Sequence, residues 1–172
     1  MKKIIFSIFA LPLIALCCSM NLHAQSSETD LDQVELVKQF IGSWVGEWAE
    51  DTTIVWEVIP LGKGYEQIIY WKAKGETYRT DKGIIGLTLN GYVGMLFLWS
   101  PNGNLSRDYG KFESDKKITM ERFNADHIHV FATFDYHLIT ADKIKMTVKM
   151  RGTKESWDDA VVWEIIWTRV KK

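Results

Sequence analysis

Arg122 stands in phase with Ile118 and Met120 on the alternating stretch from Ile118 to Phe123. Either a cation enters an apolar interior there, or the strand end turns out to solvent. A buried arginine is costly unless an acidic neighbour or a ligand carboxylate meets it. Gln67, in phase with Tyr65, Ile69 and Trp71, can present an amide inside an apolar pocket. The opposite register, with Glu66, Ile68, Tyr70 and Lys72 inward, stays open. Arg107 and Tyr109, two apart, can grip an acidic group or face outward. His127, His129 and His137 share one parity, as metal ligands on a strand would, but Thr133 and Asp135 mark that parity as the polar face. No carboxylate or thiol cluster completes a zinc or iron set. No cofactor is implied, and haem would need one of these histidines beside an open pocket.

Enzyme motifs are missing from the sequence. There is no G-x-S-x-G elbow, no H-E-x-x-H and no phosphate-cradling glycine loop. Met1 to about Ala24 reads as a secretory signal: Lys2 and Lys3 precede an apolar run from Ile4 to Cys18, and Leu22-His23-Ala24 offers a cut before Gln25. The run is too short for a membrane span. The chain is expected to be exported, periplasmic or secreted, with lipid anchoring through Cys17 or Cys18 as the alternative, although Leu16 suits lipobox processing poorly. Cleavage at Ala24 removes both cysteines, so no disulfide framework or thiol nucleophile remains.

The 172-residue chain then keeps 148 residues, enough for one domain with a sizeable core. Loss of Lys2 and Lys3 reduces the 21 basic residues to 19 against 22 acidic ones, a net charge of −3. That balance excludes a nucleic-acid footprint. All 8 tryptophans fall in the remaining chain, enough to fill a large core or line an apolar pocket.

The elements that must position these residues are mostly strands. After a polar leader, residues 25–33, Leu31, Val34, Val37 and Phe40 recur at helical spacing, so a short helix capped by Thr29 or Asp30 runs to about Ile41 and ends at Gly42. From Ser43 the period becomes two. Strands are expected at 43–48, 52–59, 65–74, 77–89, 92–100, 105–112, 118–123, 127–138, 143–151 and 161–170. Pro60 to Gly64 stops the second, Asn90-Gly91 marks a tight hairpin, and Gly152 to Asp159 is placed at a barrel mouth. In the eighth and ninth stretches the even positions, Ile128 to Leu138 and Ile144 to Met150, are the apolar ones and are expected inward. About ten strands with short connections predict an all-β, up-and-down antiparallel barrel with a short N-terminal helix at one end.

The two ends of this meander carry a resemblance. Phe40-x-Gly42-x-Trp44 after a short helix resembles the opening signature of the calycin superfamily, and Trp167-Thr168-Arg169 resembles its closing one. Gly83-Ile84-Ile85-Gly86 and Tyr92-Val93-Gly94 are similar to stretches of uncharacterised secreted bacterial lipocalin-like proteins and nitrobindin-type barrels. The resemblance covers roughly Val34 to Lys171 and implies a lipocalin-like domain over 34–172. One departure is Lys171, where fatty-acid-binding proteins have the tyrosine of a carboxylate clamp.

In an antiparallel closure Arg169 can cover the face of Trp44, so Gly42, Trp44 and Arg169 are expected to seal the barrel. The other reading has Arg169 meeting an anionic ligand group. The inward inventory is Trp48, Trp56, Trp71, Phe97, Trp99, Met120, Phe134, Tyr136, Met146 and Trp163. A barrel of this size is either filled by such side chains or holds one ligand. The expected function is non-covalent binding of a small, largely apolar molecule by Gln67, Trp71, Trp99, Met120, Arg122, Phe134, Tyr136, Met146 and Trp163, with no catalysis. The alternatives are a ligand-free structural or interaction module of the envelope, and a haem-binding or isomerase-type barrel.

Overall fold

A computed structural model describes residues 31–99, 103–123, 129–152 and 155–171. A single α-helical turn, α1 (Gln33–Val37), continues into a 3-10 turn at Lys38–Phe40. Ten strands follow: β1 (Gly42–Ala49), β2 (Thr52–Leu61), β3 (Gly64–Ala73), β4 (Glu76–Leu87), β5 (Val93–Trp99), β6 (Asn104–Ser114), β7 (Lys117–Phe123), β8 (Val130–Thr140), β9 (Lys143–Met150) and β10 (Val161–Arg169). Each pairs antiparallel with its neighbour in sequence, and β1 pairs with β10 to close the barrel. The expected all-β meander is the observed one. Of its strands, Ser100, His127 and Ile128 lie outside the described residues.

The inward set follows the parity read from the sequence. Ala132, Phe134, Tyr136 and Leu138 of β8 are buried, as are Ile144, Met146 and Val148 of β9. Four local readings change. Asp32 is the cap of α1, its carboxylate accepting from the Val34 and Glu35 N–H groups, while Thr29 and Asp30 lie outside the described residues. Val34 is exposed, because the helix is too short to carry a full apolar stripe. The strand β2 runs through Pro60 and Leu61 before Gly62 turns with φ +59°. At Asn90-Gly91 the loop is wider than a two-residue turn: the Gly91 N–H donates to Thr88 O, and Gly91 follows the turn with φ +75°. That matches a type I turn followed by a left-handed residue.

The helical end plugs one mouth of the barrel. Phe40 is fully buried against Trp56, Phe112 and Tyr136, with ring centroids 5.4, 6.0 and 5.6 Å away. Gln33 does a job that the sequence reading missed. The strand β5 begins at Val93 opposite Gly110, so Phe112 of β6 extends past its neighbour on that side. The Gln33 amide fills the gap, accepting from Phe112 N at 2.7 Å and donating to Phe112 O at 3.4 Å. Gln33→Ala leaves those backbone groups unmet and should lower unfolding stability by about 1–3 kcal/mol in urea titration. An unchanged midpoint would show that water replaces the amide at no cost.

Candidate functional site

The polar groups of the interior come from three pairs of strands. In β6 the inward parity carries Ser106, Asp108, Gly110 and Phe112, so Arg107 and Tyr109 face the outer wall, where they border a groove with Ile84, Leu87 and Leu96. Directly across from Asp108 stands Arg122 of β7. Both are buried and bidentate, Nε to Oδ1 and Nη2 to Oδ2, each at 2.7 Å. The cation therefore does enter the interior, and its acidic partner is a residue of the chain. Burial pushes the Asp108 carboxyl above its ordinary range, and the two Arg122 hydrogen bonds pull against that shift. Phe97, Trp99 and Phe134 surround the guanidinium at 5.6, 4.8 and 4.4 Å from their ring centroids.

A second pair sits nearer the mouth. Pairing of β3 with β4 slips at Tyr78, so that Trp71 faces Arg79 and Ile69 faces Asp81. Arg79 and Asp81 fall in phase with Gly83 and the buried Ile85, so they face inward, while Tyr78 at the slip is exposed. Asp81 is fully buried and accepts from Arg79 Nε at 3.0 Å and from Trp71 Nε1 at 2.8 Å. The Arg79 guanidinium lies 5.1 Å from the Trp71 centroid and 5.0 Å from that of Trp99. Trp99 thus touches both arginines, and its Nε1 donates to Ser106 Oγ at 2.7 Å.

Between these pairs and the Phe40 plug lies a cavity of about 220 Å³. Its wall is largely aromatic: Trp48, Trp56, Trp71, Phe97, Trp99, Phe134, Tyr136 and Trp167, with Arg79, Arg122 and Met146 among the other lining residues. Of the nine expected ligand-binding residues, Trp71, Trp99, Arg122, Phe134, Tyr136 and Met146 line it. The other three do not. Gln67 is fully buried, but its amide is used inside the wall, accepting from Trp56 Nε1 at 3.2 Å, so it positions Trp56 instead of meeting a ligand. Met120 is packed in the core, and Trp163 stacks on Trp48 at 5.9 Å, behind the lining. Arg79, Asp81, Asp108 and Ser106 were missed. Folding the β6–β7 hairpin about Asp115 on paper sets Asp108 opposite Arg122, so that pair had a signal. The Arg79–Asp81 pair had none, because neither parity of β4 is consistently apolar and nothing in its hydropathy marks the side of Ile85 as the buried one.

Tyr136 lines the floor of the cavity, and burial pushes its phenol well above the usual phenol range. Unfolding frees that group to ionise above its ordinary value of 10.0. The folded state then holds the extra proton, and stability falls as pH rises past 10, by about 1.4 kcal/mol per pH unit. Tyr136→Phe should flatten that alkaline slope in denaturant titrations. An equally steep slope in the variant would assign the effect elsewhere.

At the plugged end the closure has the expected members. Trp44 faces Arg169 across β1 and β10, and the guanidinium carbon lies 4.0 Å from the Trp44 ring centroid. Arg169 also donates to the carbonyls of Gln39, Ile41 and Ala141. Gly42 has φ +122°, and a Cβ there would come within 2.7 Å of Arg169 Nη1. Arg169 is not part of the cavity wall. His129 and His137 are exposed on the outer wall, and His127 lies outside the described residues. Among the described residues no three His, Cys, Asp or Glu side chains gather as a metal set. No helix there is long and apolar enough to cross a membrane.

Neither the models of known protein families nor the curated proteins contain a match to this chain.

Proposed function

We propose that this barrel is an exported, lipocalin-like carrier that binds a small, largely apolar molecule non-covalently in its upper lumen. The supporting observation is the 220 Å³ aromatic cavity in a barrel whose lower half is filled. Trp and Phe side chains that only filled a core would interdigitate to near-crystalline density. Here they stop short and face one another across a space equal to about seven waters. Two arginine–aspartate pairs and one phenol supply the few fixed polar groups that orient a ligand in an apolar site. A space of this size suits a compact molecule better than a long acyl chain or haem. Five tryptophans line it, so intrinsic fluorescence reads occupancy. Titration with small aromatic and alicyclic compounds should shift or quench that emission with saturation. A flat response across such a panel would sink the proposal.

An interaction module is the second reading, favoured by the outer wall. Ile84, Leu98 and Leu105 are exposed on adjoining strands, with Leu98 directly opposite Leu105. Sedimentation equilibrium showing a dimer that Leu98→Lys dissolves would support it, and a monomer at all concentrations would argue against self-association.

A further inference from the structure

Resting on the binding reading, we infer that the cavity selects a neutral, planar aromatic molecule carrying a hydrogen-bond acceptor, and discriminates against carboxylate anions. Its charges are already balanced. Arg122 is matched by Asp108 and Arg79 by Asp81, both aspartates being buried. Among the described residues those four are the charged groups of the site, and they sum to zero. An incoming carboxylate would lose its water and find no net counter-charge. To win Arg122 it would have to displace Asp108 from a two-bond fork, and bidentate pairs of that kind are the strong ones.

The polar groups that remain are donors. Each arginine uses Nε and Nη2 on its aspartate, which leaves the Nη1 edge of a side chain that lines the cavity. Trp167 also lines it, and its Nε1 is a buried donor with no partner among the described residues. The Tyr136 phenol stays protonated at neutral pH. The acceptors nearby are engaged: Asp81 by Trp71 and Arg79, Asp108 by Arg122, Gln67 by Trp56. A carbonyl, ether or ring nitrogen on the ligand matches that surplus, and a hydrocarbon does not. The flat rings of Trp71, Trp99 and Phe134 favour a ligand that can stack or meet them edge-on.

Three compounds of one shape separate the possibilities by calorimetry on the folded chain: acetophenone, benzoate and ethylbenzene. Acetophenone should bind at least ten-fold tighter than either of the others. Benzoate binding as tightly would overturn the charge argument while leaving the carrier reading standing. Ethylbenzene binding as tightly would overturn the donor argument in the same way. Binding of none of the three, nor of any compound in the wider panel, would remove the carrier reading and this inference with it. Asp108→Asn then gives the site one net positive charge at nearly constant shape. Relative to acetophenone, benzoate should gain at least ten-fold in that variant once near-ultraviolet circular dichroism shows it folded. An unchanged ratio would overturn the inference, and if the variant does not fold, the three-compound comparison decides alone.

Discussion

Asp108→Leu should lower unfolding stability by about 3–5 kcal/mol, the largest loss expected from any single interior change. The reason is what the substitution leaves behind. Arg122 stays buried with Phe97, Trp99 and Phe134 around its guanidinium, and its carboxylate partner is gone. Aromatic faces recover part of that loss, about 1–2 kcal/mol at a desolvated site, but cannot accept the two N–H bonds that Asp108 takes. The double variant Asp108→Leu with Arg122→Met should be far closer to the parent, because a well-packed apolar pair of similar volume is often as stable as a buried ion pair. Urea unfolding of the four corners of this cycle gives the coupling directly. A double variant as unstable as Asp108→Leu alone would show that the pair shapes the barrel wall and does more than balance charge.

Arg169→Ala should cost about 3 kcal/mol or more, by loss of a cation–π contact and of hydrogen bonds to three carbonyls. Those carbonyls belong to Gln39 and Ile41 at the entry to β1 and to Ala141 in the β8–β9 turn. Alanine leaves them with water at best and uncovers the fully buried Trp44 ring. Arg169→Lys keeps the charge over the ring but not the fork, and should recover less than half of the loss. Gly42→Ala attacks the same joint from the other side, through its φ of +122° and the 2.7 Å clash with Arg169. Thermal unfolding followed by circular dichroism should place all three variants below the parent. A lysine variant as stable as the parent would mean that the carbonyl contacts contribute nothing.

The barrel and its closure were legible because both depend on patterns that strand physics writes plainly. Alternation in β8 and β9 fixed their inward faces, and eight of the ten side chains expected inside line the cavity, all but Met120 and Trp163. What the sequence hid were the partners of charge. Asp108 sits between Arg107 and Tyr109 in a stretch whose hydropathy does not declare a buried side, and only the hairpin register reveals its partner. Arg79 and Asp81 share the inward parity of Ile85, but in β4 neither parity is apolar enough to declare itself the buried one. Gln67 was placed on the correct face but given the wrong task, since its neighbour Trp56 takes up its carbonyl oxygen. Sequence parity says which way a side chain points, and its hydrogen bonds say what is left of it for a ligand.

The clasp at Arg169 also dictates when folding can finish. Its bonds to Ile41 and Gln39 join residues 128 and 130 positions apart, the longest separations among the side-chain hydrogen bonds described. Hairpins such as β6–β7 are local and can form early, but none of them covers Trp44 until β10 arrives. Pairings this distant in sequence make folding slow, because both ends must be ordered before the contact repays the lost freedom. A nascent chain stopped short of Thr168 therefore has an open seam, because β10 meets β1 at Thr168 and Arg169. The barrel shuts only when nearly the whole polypeptide is available.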